Sequence, residues 1–201
     1  MRISGCRASL RVDRPAIFLD RDGTINVEKN YLHRIEDWEW IPGAIKAIRE
    51  FNRAGYLVIV ISNQAGIARG FYSEEAVLRL HNHVDMMLAK HGARIDAYFF
   101  CPHHPQFGEE RNCSCRKPMP GLIRAAQLEL GIDLNRSWMI GDKLSDIEAG
   151  RAAGVRGILV ATGYGKTEAT RLNKDVPYAK DLRAACDLVL SGSAIVFDGE
   201  E

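Results

Sequence analysis

Two aspartates separated by one residue, Asp20 and Asp22, stand where a short apolar run gives way to a glycine. The run Ala16-Ile17-Phe18-Leu19 predicts a buried strand of a parallel sheet. Ligands bind outside the carboxyl ends of such strands, and side chains two positions apart share a face. Two carboxylates placed in this way repel each other unless a cation such as Mg²⁺ compensates. The pair therefore indicates phosphoryl-transfer chemistry, although Asp-x-Asp-Gly alone is typical of a solvated turn.

Three more predicted strand ends carry polar residues. They are Ser62-Asn63-Gln64, Cys115-Arg116-Lys117-Pro118 and Gly141-Asp142-Lys143. The first would hydrogen-bond phosphoryl oxygens, the second would bring cations to them, and the third would add an oxygen ligand for the metal. Taken singly, the Ser-Asn pair is typical of a turn, and the Arg-Lys pair is typical of a solvated surface. Together they form a complete phosphatase site, in which Asp146 would either orient Lys117 or a metal-bound water, or cap its helix.

The elements that must position these residues alternate along the chain. Apolar runs predict strands at residues 16–19, 56–61, 97–100, 138–140 and 157–160, and helices are predicted at 42–55, from Ser73, at 120–131 and at 146–153. This alternation is typical of an α/β fold with a parallel central sheet. We expect a Rossmann-like three-layer α/β/α architecture and a less regular segment after the fifth strand.

A cysteine-rich loop lies between the third strand and Lys117. Cys101 and His103, followed by Cys113 and Cys115, supply three thiolates and one imidazole, the set expected for a closed tetrahedral zinc site. With no open coordination position, this zinc would be structural and would position Arg116 and Lys117. His104 is the competing ligand, and a chance cluster of free cysteines is the alternative. Cys6 and Cys186 receive no role.

Length and charge narrow the class of protein. With 201 residues, the chain is expected to form one domain over residues 1–201, with its core at about 15–165 and the zinc loop at 101–115. Its 27 basic and 26 acidic residues form no basic strip, which argues against a nucleic-acid partner. The longest apolar run is far short of the roughly 20 residues of a membrane span, and no secretory signal is recognised. We expect a cytoplasmic monomer that acts on a small molecule.

The four strand-end motifs, from Phe18-Leu19-Asp20-Arg21-Asp22-Gly23-Thr24 to Gly141-Asp142-Lys143-Leu144-Ser145-Asp146, resemble those of the haloacid dehalogenase-like phosphatases. The resemblance implies that Asp20 is the nucleophile and Asp22 the general acid and base. Ser62 and Lys117 would stabilise the phosphoryl group. Catalytic Mg²⁺ would bind Asp20, the backbone carbonyl of Asp22, and Asp142. No large inserted cap is recognised.

Within that superfamily, the zinc loop joined to Cys-Arg-Lys-Pro resembles the group containing heptose bisphosphate phosphatases and histidinol-phosphate phosphatases. Residues 25–33 are similar to the heptose enzymes' Ile-Asn-x-Asp-x-Gly-Tyr-Val-His, with Glu28, Asn30 and Leu32 as the departures. The resemblance implies removal of the 7-phosphate of D-glycero-D-manno-heptose 1,7-bisphosphate on the route to nucleotide-activated heptose. The expected substrate contacts are Glu28, Lys29, Asn30, Tyr31, Asn63, Gln64, Arg116 and Lys143.

Other functions compete with this interpretation. Histidinol-phosphate phosphatase is the nearest, since it shares the zinc loop. A non-catalytic module that binds a partner through the zinc loop would not need Asp20, Asp22, Lys117 and Asp142 together. Polynucleotide end processing uses the same chemistry but is disfavoured by the balanced charge.

Overall fold

The fold is seen in a computed structural model that describes residues 13–192, so Cys6 and the acidic tail lie outside the described residues. In this described part of the chain, six parallel strands form one sheet in the order β3-β2-β1-β4-β5-β6. The strands are β1 Ala16–Leu19, β2 Leu57–Asn63, β3 Ala97–Cys101, β4 Trp138–Gly141, β5 Arg156–Val160 and β6 Tyr178–Ala179. The order reverses at β1, which lies between β2 and β4. Such a reversal opens a crevice at the carboxyl edge of the sheet.

Within residues 13–192, six α-helices connect and cover the strands: α1 Ala44–Arg53, α2 Glu74–Ala89, α3 Gly121–Leu130, α4 Leu144–Ala153, α5 Gly165–Glu168 and α6 Leu182–Leu190. Short 3₁₀ turns lie at Ile35–Asp37, Leu134–Arg136 and Ala169–Arg171. The helix predicted from Ser73 is α2, and Ser73 caps it, because its Oγ accepts a hydrogen bond from the Ala76 amide at 3.4 Å. Asp181 caps α6 in the same way, at 2.8 Å from the amide of Ala184.

The apolar core has two parts, one on each face of the sheet. Ile17 and Leu19 pack into a cluster with α1 and α6, whereas Ala16 and Phe18 pack into a second cluster with α3 and α4. Alternate side chains of β1 therefore point to opposite faces, and all of them are buried. The three-layer α/β/α prediction is confirmed.

Two predicted boundaries differ in ways that matter for the site. β2 continues to Asn63, so Ser62 and Asn63 belong to the strand rather than to a following turn. The segment after β5, expected to be irregular, contains α5, β6 and α6. Within residues 13–192, no helix is long and apolar enough to span a bilayer.

Candidate active site

Asp20 is fixed at the centre of the carboxyl edge. It follows β1 directly, and its amide donates to the Ile140 carbonyl of β4 at 2.9 Å. The ammonium of Lys117 donates to Asp20 Oδ1 at 2.7 Å and to the Ile61 carbonyl at 2.7 Å. Lys117 also lies 2.7 Å from Asp146 Oδ1. Residues from all four predicted strand ends therefore converge.

Three buried carboxylates, those of Asp20, Asp142 and Asp146, have oxygens within 4.8 Å of one another. Burial, with the charges of Asp20 and Asp146, raises the pKa of Asp142 to about 8. Burial and Asp20 raise the pKa of Asp146 to about 6, against the lowering effect of Lys117. Asp142 Oδ1 has no hydrogen-bond partner among the described residues. An all-oxygen set with an unpaired buried oxygen and mutual repulsion fits a hard cation such as Mg²⁺.

The side chain of Asp22 is not one of these carboxylates, so the magnesium contact predicted for Asp22 depends on its backbone carbonyl. Its carboxylate is held by Arg21, whose Nη2 donates to Oδ2 at 2.8 Å, and by Asn26, whose Nδ2 donates to Oδ1 at 3.0 Å. Arg21 is buried and also donates to the Leu32 carbonyl at 2.8 Å. These donors fix the orientation of Asp22 in the cavity wall, a role of Arg21 and Asn26 that the sequence analysis missed.

Two glycines allow Asp142 to approach the turn after β1. Gly23 has a φ of +85°, and a Cβ added there would lie 2.2 Å from Asp142 Oδ2. A Cβ at Gly163, after β5, would lie 2.1 Å from the same oxygen. The hydroxyl of Thr162 donates to the Gly23 carbonyl at 2.6 Å. The end of β5 is therefore a fifth strand end at the site, one that the sequence analysis did not include.

The end of β2 supports both Lys117 and Asp22. The Asn63 side chain accepts a hydrogen bond from the Lys117 backbone amide at 3.0 Å and donates one to the Lys117 carbonyl at 3.1 Å. It therefore holds both backbone polar groups of Lys117. Gln64 Nε2 donates to Ser62 Oγ at 2.5 Å and to Asp22 Oδ2 at 3.4 Å. Tyr72 donates to Gln64 Oε1 at 2.9 Å.

A cavity of about 480 Å³ opens above these groups. The predicted site residues that line it are Asp20, Asp22, Glu28, Asn30, Tyr31, Ser62, Asn63, Gln64, Arg116, Lys117 and Lys143. Lys29 does not line it, because its ammonium pairs with Glu39 at 2.9 Å. The lining residues that had no predicted substrate role are Ala65, Tyr72, His104, Ser145, Asp146 and Tyr164.

The connection after β1 reaches the cavity through an uncommon backbone. Asn30 and Tyr31 have φ values of +48° and +61°. Asparagine is the residue other than glycine that most readily adopts this left-handed conformation, which explains how Asn30 stands where the resembled segment has glycine. Glu28 Oε1 accepts the Asn30 amide at 2.8 Å and stabilises the turn.

The predicted zinc ligands form a second cluster. The sulfurs of Cys101 and Cys113 are 3.6 Å apart, and Cys115 Sγ is 3.3 Å from His103 Nδ1. These separations fit a tetrahedron of ligands around zinc, for which Zn–S bonds of about 2.3 Å are usual. His104 lies outside the cluster, because its Nδ1 accepts the Gln106 amide at 3.0 Å. The structure thus favours His103 over its competitor.

A parallel sheet with an aspartate pair after its central strand, and with lysine and aspartate from neighbouring connections, defines a haloacid dehalogenase-like hydrolase. The HAD-hydrolase-like family model matches residues 114–188. The D-glycero-beta-D-manno-heptose-1,7-bisphosphate 7-phosphatase of Photorhabdus laumondii is 47% identical over 153 residues, covering 74% of this chain and 81% of its own. The enzyme of the same name from Yersinia pestis is 42% identical over 186 residues, covering 90% and 92%.

Solved structures of heptose bisphosphate phosphatases have the same fold as this chain. The crystal structure of D,D-heptose 1,7-bisphosphate phosphatase from B. bronchiseptica, complexed with magnesium and phosphate, superposes with a TM-score of 0.82 at 32% identity, covering 89% of this chain and 99% of that one. The enzyme from Burkholderia thailandensis gives 0.68 at 32% identity, with 89% and 99% covered. The chain belongs to the heptose bisphosphate phosphatase family of the haloacid dehalogenase-like phosphatases.

Proposed function

We propose that the protein hydrolyses the 7-phosphate of D-glycero-β-D-manno-heptose 1,7-bisphosphate through a phosphorylated Asp20. The observation that carries this proposal is the position of Asp20, held at the floor of the cavity by the 2.7 Å contact with Lys117. Lys117 occupies one carboxylate oxygen, which leaves the other for attack on phosphorus. The relatives that are 42–47% identical are named for this reaction.

The reaction has two steps. A carboxylate oxygen of Asp20 forms a bond to phosphorus as the bond between phosphorus and the sugar oxygen breaks, and Asp22 gives that oxygen a proton. Asp22 then takes a proton from water, whose oxygen attacks phosphorus and releases phosphate from Asp20. Ser62 donates a hydrogen bond to a phosphoryl oxygen in both steps, and the Lys117 ammonium, held by its three contacts, supplies positive charge beside the phosphoryl group.

Two metals belong to this proposal. Asp20, Asp142 and the backbone carbonyl of Asp22 would hold Mg²⁺, which supplies neutralisation of the charge on the nucleophile and the phosphoryl oxygens. Zinc on Cys101, His103, Cys113 and Cys115 would be structural, because protein ligands fill all of its positions.

The sugar and its second phosphate would contact seven of the other lining residues, namely Glu28, Asn30, Tyr31, Asn63, Gln64, Arg116 and Lys143. Arg116 is held at the cavity by a 3.2 Å hydrogen bond from Nη1 to the His103 carbonyl, and its fork suits a phosphate. Lys29 is omitted because of its pairing with Glu39. A biosynthetic substrate of this kind supports a cytoplasmic enzyme, and the expected monomer can be tested by light scattering.

The test compares kcat/KM for both anomers of heptose 1,7-bisphosphate and for histidinol phosphate in the presence of Mg²⁺. We expect the β-anomer to be preferred, and a preference for histidinol phosphate would overturn the assignment. Asp20→Asn should lose at least about 10³-fold in kcat. Asp175→Asn removes an exposed carboxylate away from the cavity and should retain activity.

A further inference from the structure

Four residues from three connections form a closed set of contacts at the rim of the cavity, here called the mouth network: Glu28, Asn30, Lys143 and Tyr164. Glu28 accepts the Asn30 amide at 2.8 Å and lies 3.4 Å from the Lys143 ammonium. That ammonium lies 4.6 Å from the centre of the Tyr164 ring, and the Tyr164 hydroxyl donates to Asn30 Oδ1 at 3.3 Å. Each member therefore touches two others.

Tyr164 closes this network, although it follows the strand that the sequence analysis left out of the site. Tyr164 is 42% exposed and lines both the main cavity and an open groove of about 550 Å³. Lys143 lines the main cavity but not this groove. The backbone of Tyr164 has a different role, because its amide donates to Asp142 Oδ2 at 2.8 Å.

The two contacts of the Tyr164 side chain have different effects. The face of an aromatic ring attracts an ammonium ion, which keeps Lys143 over Tyr164 and beside the cavity. The Tyr164 hydroxyl fixes the side-chain amide of Asn30. The left-handed backbone of Asn30 places this residue at the cavity wall. An ammonium and an oriented amide are suitable partners for a second anionic group and for sugar hydroxyls.

We infer that Tyr164 is a positioning residue that determines specificity, because it holds Lys143 and Asn30 where they recognise the part of the substrate remote from the transferred phosphate. This inference rests on the proposed function. Its signature is a change in KM for a sugar bisphosphate without a change in the chemistry, since the nucleophile and its partners are not contacted by the ring.

The experiment compares Tyr164→Leu, Tyr164→Phe and a matched control, Tyr178→Leu, which alters an exposed tyrosine of β6 outside the cavity. Each is assayed with heptose 1,7-bisphosphate and with p-nitrophenyl phosphate, which lacks the sugar and the second phosphate. For Tyr164→Leu we expect KM for the bisphosphate to rise about tenfold with kcat within about twofold, from loss of one cation–π contact and one hydrogen bond. Tyr164→Phe keeps the ring and should change KM by about threefold or less.

The outcomes separate the two proposals. A bisphosphate KM that stays unchanged in Tyr164→Leu would overturn the role of Tyr164. An equal loss of kcat/KM with heptose 1,7-bisphosphate and with p-nitrophenyl phosphate would also overturn it, because such a loss indicates damage to Asp142. Failure of the unaltered enzyme to hydrolyse heptose bisphosphate while it hydrolyses p-nitrophenyl phosphate would instead overturn the proposed substrate.

Discussion

The ammonium of Lys117 lies midway between two buried carboxylates, 2.7 Å from Asp20 Oδ1 and 2.7 Å from Asp146 Oδ1. Asp146 Oδ2 also accepts the Lys143 amide at 3.1 Å. Asp146 lies in the first turn of α4, which begins at Leu144 rather than at the predicted residue 146. Its carboxylate both caps that helix and contacts Lys117, so the two sequence interpretations of Asp146 hold together. One ammonium, just after the cysteine cluster in the chain, thereby contacts both Asp20 and α4.

Replacing Lys117 with methionine, which has a similar length, should separate charge from packing. The buried carboxylates would lose their cation, so we expect kcat to fall on the order of 10²–10³-fold and stability to fall by about 3–5 kcal/mol. Steady-state kinetics and urea unfolding measure these effects. Lys166→Met changes an exposed lysine of α5 and should alter neither quantity. Retention of a tenth of the activity by Lys117→Met would contradict this role.

The raised pKa of Asp142, about 8, makes stability depend on pH and Mg²⁺ together. Between about pH 4, where the unfolded carboxyl ionises, and pH 8, the folded metal-free protein retains a proton that the unfolded chain has lost. The stability of metal-free protein should therefore fall as pH rises through this window. Mg²⁺ needs the ionised carboxylate, so the increase in Tm that it causes should be larger at pH 8 than at pH 5.

Thermal unfolding at both pH values, with and without millimolar Mg²⁺ and with zinc retained, tests this expectation. Asp142→Asn is the control, because an amide cannot titrate and is a weaker ligand. Its Tm should respond little to Mg²⁺ at either pH. An equal response of the unaltered protein at pH 5 and pH 8 would count against the cation site.

The cysteine cluster should hold one zinc ion per chain, measurable by metal analysis of protein purified without chelators. Cys113→Ser removes a ligand, and we expect loss of zinc with a fall in kcat of about 10–100-fold, because Arg116 and Lys117 follow the last ligand directly. Cys186→Ser alters a buried cysteine whose thiol faces the Ala47 carbonyl, outside the cluster, and should retain its zinc. Zinc-free protein with full activity would refute the positioning role.

Gly23 is expected to be essential for close approach as well as for its backbone conformation. Gly23→Ala places a methyl 2.2 Å from Asp142 Oδ2, so Asp142 must move, and we expect at least about a 10²-fold loss of kcat/KM and weaker Mg²⁺ binding. Gly55→Ala is a matched control, since Gly55 has a φ of +87° but nothing within 4 Å of the added carbon. It should lose about 1–2 kcal/mol of stability and keep its activity, as enzyme assays and unfolding curves can show.

Sequence reasoning located the residues that follow strong local patterns. Asp20, Ser62 and Asp142 come at or just after the ends of apolar runs, and strands of a parallel sheet bring their carboxyl ends to one edge. Cys101 and Cys115 could be grouped by ligand type alone. In each case the signal lies within a few consecutive residues, which is why the prediction needed no tertiary information.

The rest depended on contacts between distant segments. Tyr164 meets Asn30 and Lys143 across three connections, and no local pattern encodes that meeting. Lys29 was expected at the substrate, but the left-handed turn that follows it leaves its ammonium beside Glu39. The helix α6 was missed although the sequence contains signals for it. Asp181 is a capping residue, and the apolar residues after it, Leu182, Ala185, Cys186 and Val189, recur at helical spacing and are buried.

The strand β1 has a neighbour on each side and a buried cluster on each face, whereas the mouth network consists of side chains on connections outside the sheet. Substitutions next to Asp20 therefore disturb many packed neighbours, and substitutions in the mouth network disturb few. In evolutionary terms, the two parts can change at different rates. A descendant of this chain could acquire a different phosphate ester as its substrate by altering the connections after β1 and β5, while the hydrolytic machinery stayed as it is.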